Sequence, residues 1–241
     1  MWMNWSVPSR PDVGVVVVAA GRSRRAGGAT PKQFREIGGV PVLLRALRPF
    51  LAHPAVGRVV AVLPAETVAS PPAWLAPFVG DRLCLVAGGD ERVDSVRNGL
   101  DALGDAWPIT AVHDGARPFV DPGVFDQLIA LARQGRAAIA AIPVSDTLKL
   151  ASGDPGQPTV ARTVPRDGLW RAHTPQVFPR ELLARALSAP WPAGSHPTDD
   201  AAAVEALGEP VALVMDRSTN LKITTPDDFA LAESMAARVL A

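Results

Sequence analysis

Val15 to Val18 are four consecutive valines, followed at once by Ala19-Ala20-Gly21 and the loop Arg22-Ser23-Arg24-Arg25-Ala26-Gly27-Gly28. An unbroken β-branched run is the signature of a strand buried on both faces, as in parallel sheets. The small residues after it let backbone N–H groups come close to an anion. Arg22, Arg24 and Arg25, then Lys32 in Pro31-Lys32-Gln33, place positive charge where a polyphosphate would lie. The loop lacks the G-K-[ST] of a Walker A motif. Arginines also fill positions that a G-x-G-x-x-G dinucleotide turn leaves light.

The same strand-then-helix rhythm recurs downstream. Apolar runs at 58–63, 83–87, 110–113, 137–144 and 211–215 read as strands. Segments 41–51, 93–103, 124–133, 180–187, 200–206 and 226–237 have helical spacing. This alternation predicts an α/β fold with a Rossmann-like open, mixed but mostly parallel sheet and helices on both faces. Ligands in such folds bind at the carboxyl ends of strands, so the loops after Val18, Val86 and Val112 are expected to converge. Residues 13–241 are read as one domain and 1–12 as an N-terminal extension. Residues 145–165 break the rhythm with a Gly–Pro-rich tip, Gly153-Asp154-Pro155-Gly156, and predict a protruding β-arm. A two-stranded ribbon is marginal alone, so the arm is expected to pack on a second copy as a homodimer.

Composition narrows the classes. The chain has 241 residues and a formal net charge of +0, which gives no global attraction to nucleic acid or an anionic membrane. No apolar run is long enough to span a bilayer, and no secretory signal pattern opens the chain, so a cytoplasmic protein is expected. The single cysteine, Cys84, suits a reducing compartment and is expected in the core. Only three of the 24 Lys and Arg residues are lysines: Lys32, Lys149 and Lys222. A compact ammonium on a flexible stem is not interchangeable with a guanidinium, so Lys32 and Lys222 draw attention as substrate-facing groups.

Four further clusters carry polar residues at predicted strand ends or in loops. Gly88-Gly89-Asp90-Glu91-Arg92-Val93-Asp94-Ser95 turns a strand into a helix, with Asp90 as a candidate helix cap. Val112-His113-Asp114-Gly115-Ala116-Arg117-Pro118 puts an acid at a strand end, suited to a metal or a hydroxyl group. Around the arm stand Ser145-Asp146-Thr147, Arg166-Asp167-Gly168-Leu169-Trp170 and Thr174-Pro175-Gln176. Thr198-Asp199-Asp200 and Asn220-Leu221-Lys222-Ile223-Thr224-Thr225-Pro226-Asp227-Asp228 complete the set.

Together these motifs, in this order, resemble the 2-C-methyl-D-erythritol 4-phosphate cytidylyltransferases from about Val15 to Ala237. The resemblance implies cytidylyl transfer from CTP to a polyol phosphate, with Mg²⁺ or another divalent cation. It implies Arg25, Lys32, Arg166 and Lys222 as catalytic residues. Ala19, Ala20, Gly21, Ser23, Gly89, Asp90, Ser95 and Asp114 would hold the nucleotide. Arg117, Thr147, Arg166, Thr174 and Lys222 would hold the acceptor, with Thr147 reaching from the partner subunit. Asp114 would face the metal. His113 is expected to buttress its loop. Ser23 and Ala26 depart from the family's usual glycine and methionine.

Three other readings stay open at this level. One is a cytidylyltransferase acting on ribitol 5-phosphate. Another is a nucleotide-binding module without catalysis. A dinucleotide-dependent oxidoreductase is disfavoured because the second strand ends Val62-Leu63-Pro64-Ala65, with no acid to hold a ribose.

Overall fold

A computed structural model describes residues 10–21, 31–191 and 196–239. In chain order the elements are β1 (Val13–Val18), β2 (Glu36–Ile37), β3 (Val40–Pro41), α1 (Val42–Ala52), β4 (Val56–Leu63), α2 (Ala65–Ala69) and β5 (Leu83–Ala87). Then follow α3 (Arg92–Leu103), β6 (Ile109–Asp114), α4 (Pro122–Arg133), β7 (Ala137–Pro143), β8 (Leu148–Ser152) and β9 (Thr159–Val164). The chain continues through β10 (Trp170–Pro179), α5 (Arg180–Ser188), α6 (Asp200–Glu205), β11 (Val211–Met215) and α7 (Pro226–Val239). Among the described residues no helix is long and apolar enough to cross a membrane.

Seven strands form one sheet in the order β11-β7-β10-β6-β1-β4-β5. The pairs β1/β4, β1/β6, β4/β5 and β11/β7 are parallel. β10 alone runs antiparallel to both its neighbours, β6 and β7. The mixed, mostly parallel sheet agrees with the sequence expectation.

The valine run of β1 explains how both faces are covered. Side chains alternate across a strand. Val13, Val15 and Val17 join Leu43, Leu47 and Phe50 of α1 and Phe125 and Leu128 of α4 in one apolar cluster. Val16 faces the other way, packed with Val60, Val62 and Leu103 beneath α3. α5 and α6 extend that second face with Leu183, Leu187 and Val204. α3 approaches the sheet closely because it carries Gly99 there. A Cβ built at Gly99 would lie 2.4 Å from Val16 Cγ1 and 3.0 Å from Val62 Cγ2.

Three local expectations need correction. β10 is a central strand, whereas the sequence suggested only a polar motif after the arm. Pro175 argues against a strand interior because it has no N–H for the ladder. The structure accommodates it where the β10/β7 register shifts, between Ala172 and Gln176. Cys84 lies on the edge strand β5 and is partly exposed, not fully buried. The α3 cap is Glu91, in a reciprocal capping box with Asp94, and not Asp90.

In the segment read as an arm, β8 and β9 form a separate antiparallel pair, and most of its residues are exposed. His113 on β6 is fully buried, as a buttress should be. Its ring packs edge-on against Phe50, with centroids 5.0 Å apart. Nε2 lies 3.0 Å from the Arg117 carbonyl and Nδ1 3.0 Å from Thr174 Oγ1. Burial pushes its pKa down from 6.5 to about 4.

Two predictions follow from this packing. Gly99→Ala should lower stability by about 1–3 kcal/mol, because the Cβ overlap outweighs the roughly 1 kcal/mol gain in helix propensity. Denaturant midpoints check it, and an unchanged or higher midpoint would contradict the close approach. In the ligand-free protein the unfolded chain takes up His113's proton first as pH falls. Its contribution is therefore present above 6.5 and is lost as pH falls toward about 4. The loss should be on the order of 3 kcal/mol. Unfolding titrations from neutral pH down to about pH 5 separate this loss from that of paired carboxylates, which titrate lower. His113→Asn should flatten the dependence.

Candidate active site

The carboxyl ends of β1, β5 and β6 open onto a cavity of about 710 Å³, where the sequence placed the convergence of three loops. Its wall includes Ala19, Ala20, Gly21, Lys32, Gly89, Asp90, Ser95, Asp114 and Lys222, all expected as site residues. Gln33, Glu91, Arg92 and Ala116 line it as well. Ser23 and Arg25 lie outside the described residues.

The first wall is the turn after β1. Ala19 N–H donates to the Val62 carbonyl at 2.8 Å. Gln33 Nε2 donates to the Ala19 carbonyl at 2.9 Å. Gln33 is buried, so Pro31-Lys32-Gln33 is anchored to the turn it faces, and Lys32 is carried on that anchor.

The second wall is the turn from β5 into α3. Gly88 sits so close to the first wall that an added Cβ would lie 2.4 Å from Ala20 Cβ and 2.8 Å from Ser95 Oγ. The Gly89 N–H donates to Ser95 Oγ at 3.2 Å, which leaves the serine proton for another acceptor. With the helix capped by Glu91, Asp90 is exposed at the cavity.

The third wall is the end of β6. Asp114 is buried and meets Lys222 Nζ at 2.7 Å from Oδ2. Arg92 NH2 stands 3.7 Å from Oδ1, and Arg117 Nε 3.7 Å from Oδ2. Burial alone would raise the pKa of Asp114, but Lys222, Arg92 and Arg117 hold it well below the usual carboxylate range. Three cations thus converge on one carboxylate, and they are groups that a polyanionic ligand can engage.

The cations are held from behind. Arg92 makes a bidentate pair with Asp200 at 3.0 and 2.8 Å. Burial would lower its pKa, yet Asp200 keeps the guanidinium firmly protonated. The Lys222 segment is pinned on both sides. Ile223 N–H donates to the Ala116 carbonyl at 2.9 Å, and Arg117 NH1 to the Asn220 carbonyl at 2.8 Å. Asp228 then accepts from the Thr224 and Thr225 N–H groups, each at 2.7 Å, fixing the start of α7.

Other expected residues sit elsewhere. Arg117 is buried behind Asp114 and Thr174 is buried beside β6, and neither lines the cavity. Thr147 and Arg166 are exposed near the arm, with the Arg166 guanidinium donating to the Ser145 carbonyl. The part of Gln33 in anchoring Ala19 was not legible beforehand, although the Pro-Lys-Gln motif marked its position. Arg92 stood out only as a neighbour of Asp90, because its partner Asp200 is 108 residues away.

Among the described residues no three His, Cys, Asp or Glu side chains gather as a metal cage. Asp114 is the buried carboxylate on the cavity wall, while Asp90 and Glu91 are exposed there. One carboxylate plus substrate phosphate oxygens is a donor set that Mg²⁺ accepts, so the residues fit a cation that arrives with a triphosphate.

Known proteins are similar to this chain in sequence and fold. A family model described as IspD, 2-C-methyl-D-erythritol 4-phosphate cytidylyltransferase, matches residues 13–238. The 2-C-methyl-D-erythritol 4-phosphate cytidylyltransferase of Ralstonia nicotianae is 44% identical over 250 residues, spanning 96% of this chain and 95% of that protein. The Escherichia coli protein of the same description is 44% identical over 232 residues, spanning 95% of each chain. The crystal structure of 2-C-methyl-D-erythritol 4-phosphate cytidylyltransferase from Thermus thermophilus aligns with a TM-score of 0.75 at 35% identity, covering 94% of this chain and 99% of that one. With the family model, the relatives' near-complete overlap and a shared fold in agreement, the chain belongs to the 2-C-methyl-D-erythritol 4-phosphate cytidylyltransferase family.

Proposed function

We propose that the chain transfers the cytidylyl group of CTP to 2-C-methyl-D-erythritol 4-phosphate, releasing pyrophosphate and forming 4-diphosphocytidyl-2-C-methyl-D-erythritol. The observation that carries this reading is the Asp114–Lys222 pair at 2.7 Å on the wall of a cavity whose turns match the family's nucleotide motifs. The acceptor's phosphate oxygen attacks the α-phosphorus in line with the departing pyrophosphate. That nucleophile is already anionic and needs no general base. Catalysis is alignment plus electrostatic stabilisation.

The Ala19-Ala20-Gly21 and Gly88-Gly89 turns hold the base and ribose, and Ser95 offers its hydroxyl proton to the base edge. Lys32, with Arg25, stabilises charge on the α-phosphate. Lys222 stands between nucleotide and acceptor and offsets the repulsion of two anions. Asp114 holds Lys222 in place beforehand and is the carboxylate that would face a divalent cation, with Mg²⁺ as the expected ion. When bound, such a cation neutralises charge on the triphosphate and the leaving pyrophosphate.

The acceptor-binding set extends to the arm. Leu150 and Val160 on the ribbon are 47% and 63% exposed. Two exposed apolar side chains on a marginal two-stranded element support a homodimer formed through the arm. Thr147, at its base, would then reach a partner's site, with Arg166 gripping the acceptor phosphate.

The decisive assay is pyrophosphate release with Mg²⁺ and CTP, comparing 2-C-methyl-D-erythritol 4-phosphate with ribitol 5-phosphate. Turnover on the first alone is expected, and turnover only on ribitol phosphate would overturn the acceptor assignment. Lys32→Ala and Lys222→Ala should each lower kcat by on the order of 10²-fold, from loss of one preorganised charge. A near-normal kcat would remove the substituted lysine from the mechanism. The pair Leu150→Asp and Val160→Asp should shift sedimentation from dimer to monomer and reduce turnover. A dimer that survives both changes would place the interface elsewhere.

A further inference from the structure

The two lysines of the cavity wall are carried on segments that meet a second time, away from the cavity. Lys32 opens a single helical turn, Lys32–Phe34, and Arg35 is the next residue out of it. Gln33 ties that turn to the end of β1. Lys222 is followed by Ile223, by the Thr224–Thr225 pair that Asp228 caps, and by the first turn of α7, which carries Phe229. The Arg35 guanidinium lies over the Phe229 ring, its central carbon 3.7 Å from the centroid. That is well inside the range at which the face of an aromatic ring holds a cation.

The same two segments share an apolar cluster. Ile37 of β2 and Val42 at the start of α1 pack with Ile223 and with Phe229, Ala232 and Ala236 of α7. None of these side chains belongs to the clusters that cover the two faces of the sheet. Two polar ties close the cluster. The Gly38 N–H donates to Glu233 Oε2 at 2.9 Å, and Arg45 Nε donates to the Ile37 carbonyl at 2.8 Å. A small cluster of this kind opens at lower free-energy cost than the core of a sheet, and whatever it holds loosens with it. Here it holds both lysine-bearing segments at once.

From this geometry we infer that Arg35 and Phe229 are positioning residues for the transfer. Their contact clamps the Lys32 turn to the start of α7, and so fixes the separation of Lys32 and Lys222 across the cavity that both line. Arg35 follows one lysine by three residues and Phe229 follows the other by seven, so a shift at the clamp is passed to both. The inference rests on the cytidylyltransferase reading above, in which Lys32 meets the α-phosphate and Lys222 stands between the two anions. Both ammonium groups then act on one in-line transfer, which works only while their separation is held.

The test is Arg35→Met, which keeps an unbranched side chain and removes its charge. Turnover should fall by on the order of 10-fold, with KM for CTP and for 2-C-methyl-D-erythritol 4-phosphate within about two-fold of the parent. Arg35→Lys, which keeps a cation for the ring, should return most of the lost kcat. In the Lys32→Ala background, Arg35→Met should cost no more than about three-fold, because one of the two groups it sets apart is gone. The full loss in that background, or unchanged kinetics in the single variant, would overturn the inference. Amide hydrogen exchange reads the clamp without turnover. Arg35→Met, on the Lys32 side, should quicken exchange at Ile223, whose N–H donates to the Ala116 carbonyl. Phe229→Leu, on the Lys222 side, should quicken it at Phe34, whose N–H donates to the Pro31 carbonyl at 2.9 Å. Exchange unchanged at either amide would overturn the clamp. If Phe229→Leu does not fold, Arg35→Met, at a half-buried position, decides through its kinetics and the exchange at Ile223. Failure of the parent enzyme to release pyrophosphate from its two substrates would count against the function alone, and exchange at Ile223 would still report on the clamp.

Discussion

A carboxylate taken out of water needs compensation, and most of the site is arranged around supplying it to Asp114. Its oxygens face Lys222 at 2.7 Å and two arginines at 3.7 Å. Each cation arrives from a different part of the chain: α3, the turn after β6 and the segment before α7. Removing one partner of such a group is expensive, because a charge is left buried without its counter-charge. The ion pairs therefore hold the three segments around one point. They also fix cationic groups beside the cavity before any substrate enters, the preorganisation that phosphoryl transfer chemistry draws on.

Holding that point steady falls to buried polar groups around it. Asp200, buried at the start of α6, locks the Arg92 guanidinium in a two-bond fork. Gln176 on β10 accepts from the Asp200 and Ala201 N–H groups and donates to Asp199, which docks α6 on the sheet. Gln33 does the same service for the turn after β1. These side chains spend their hydrogen-bonding capacity on backbone and on other side chains. A polar core of this kind rigidifies when satisfied and is costly when it is not.

How far the sequence revealed this depended on whether the signal was local. The valines of β1, the paired glycines before α3, the strand-end Asp114 and the rare lysine at 222 are features of short windows, and each was legible with a physical reason. β10 was not, because Pro175 and the polar residues about it obscure the alternation that marks a strand, and only its neighbours in space make it one. The Arg92–Asp200 fork and the attachment of Thr174 to Asp114 join residues far apart in sequence, so no spacing rule could signal them. Arg117 was expected near the acceptor because the family resemblance implies it. In the structure its guanidinium is buried and donates to the Asn220 carbonyl. Ser23 and Arg25 remain readings of sequence, since they fall outside the described residues.

The antiparallel strand at the centre of the sheet also bears on how the protein is made. β1, β4, β5 and β6 pair among themselves within the first 114 residues. β7 has no partner there, since its neighbours are β10 and β11, both later in the chain. During synthesis from the N-terminus, the emerging half-sheet thus ends in a bare β6 edge until residues 170–179 arrive to cover it. α4, β7 and the β8/β9 ribbon, which lie between β6 and β10 in sequence, together set the length of that wait. Lys222 comes later still, so a nascent chain can shape the nucleotide turns long before it has the cation that completes the site.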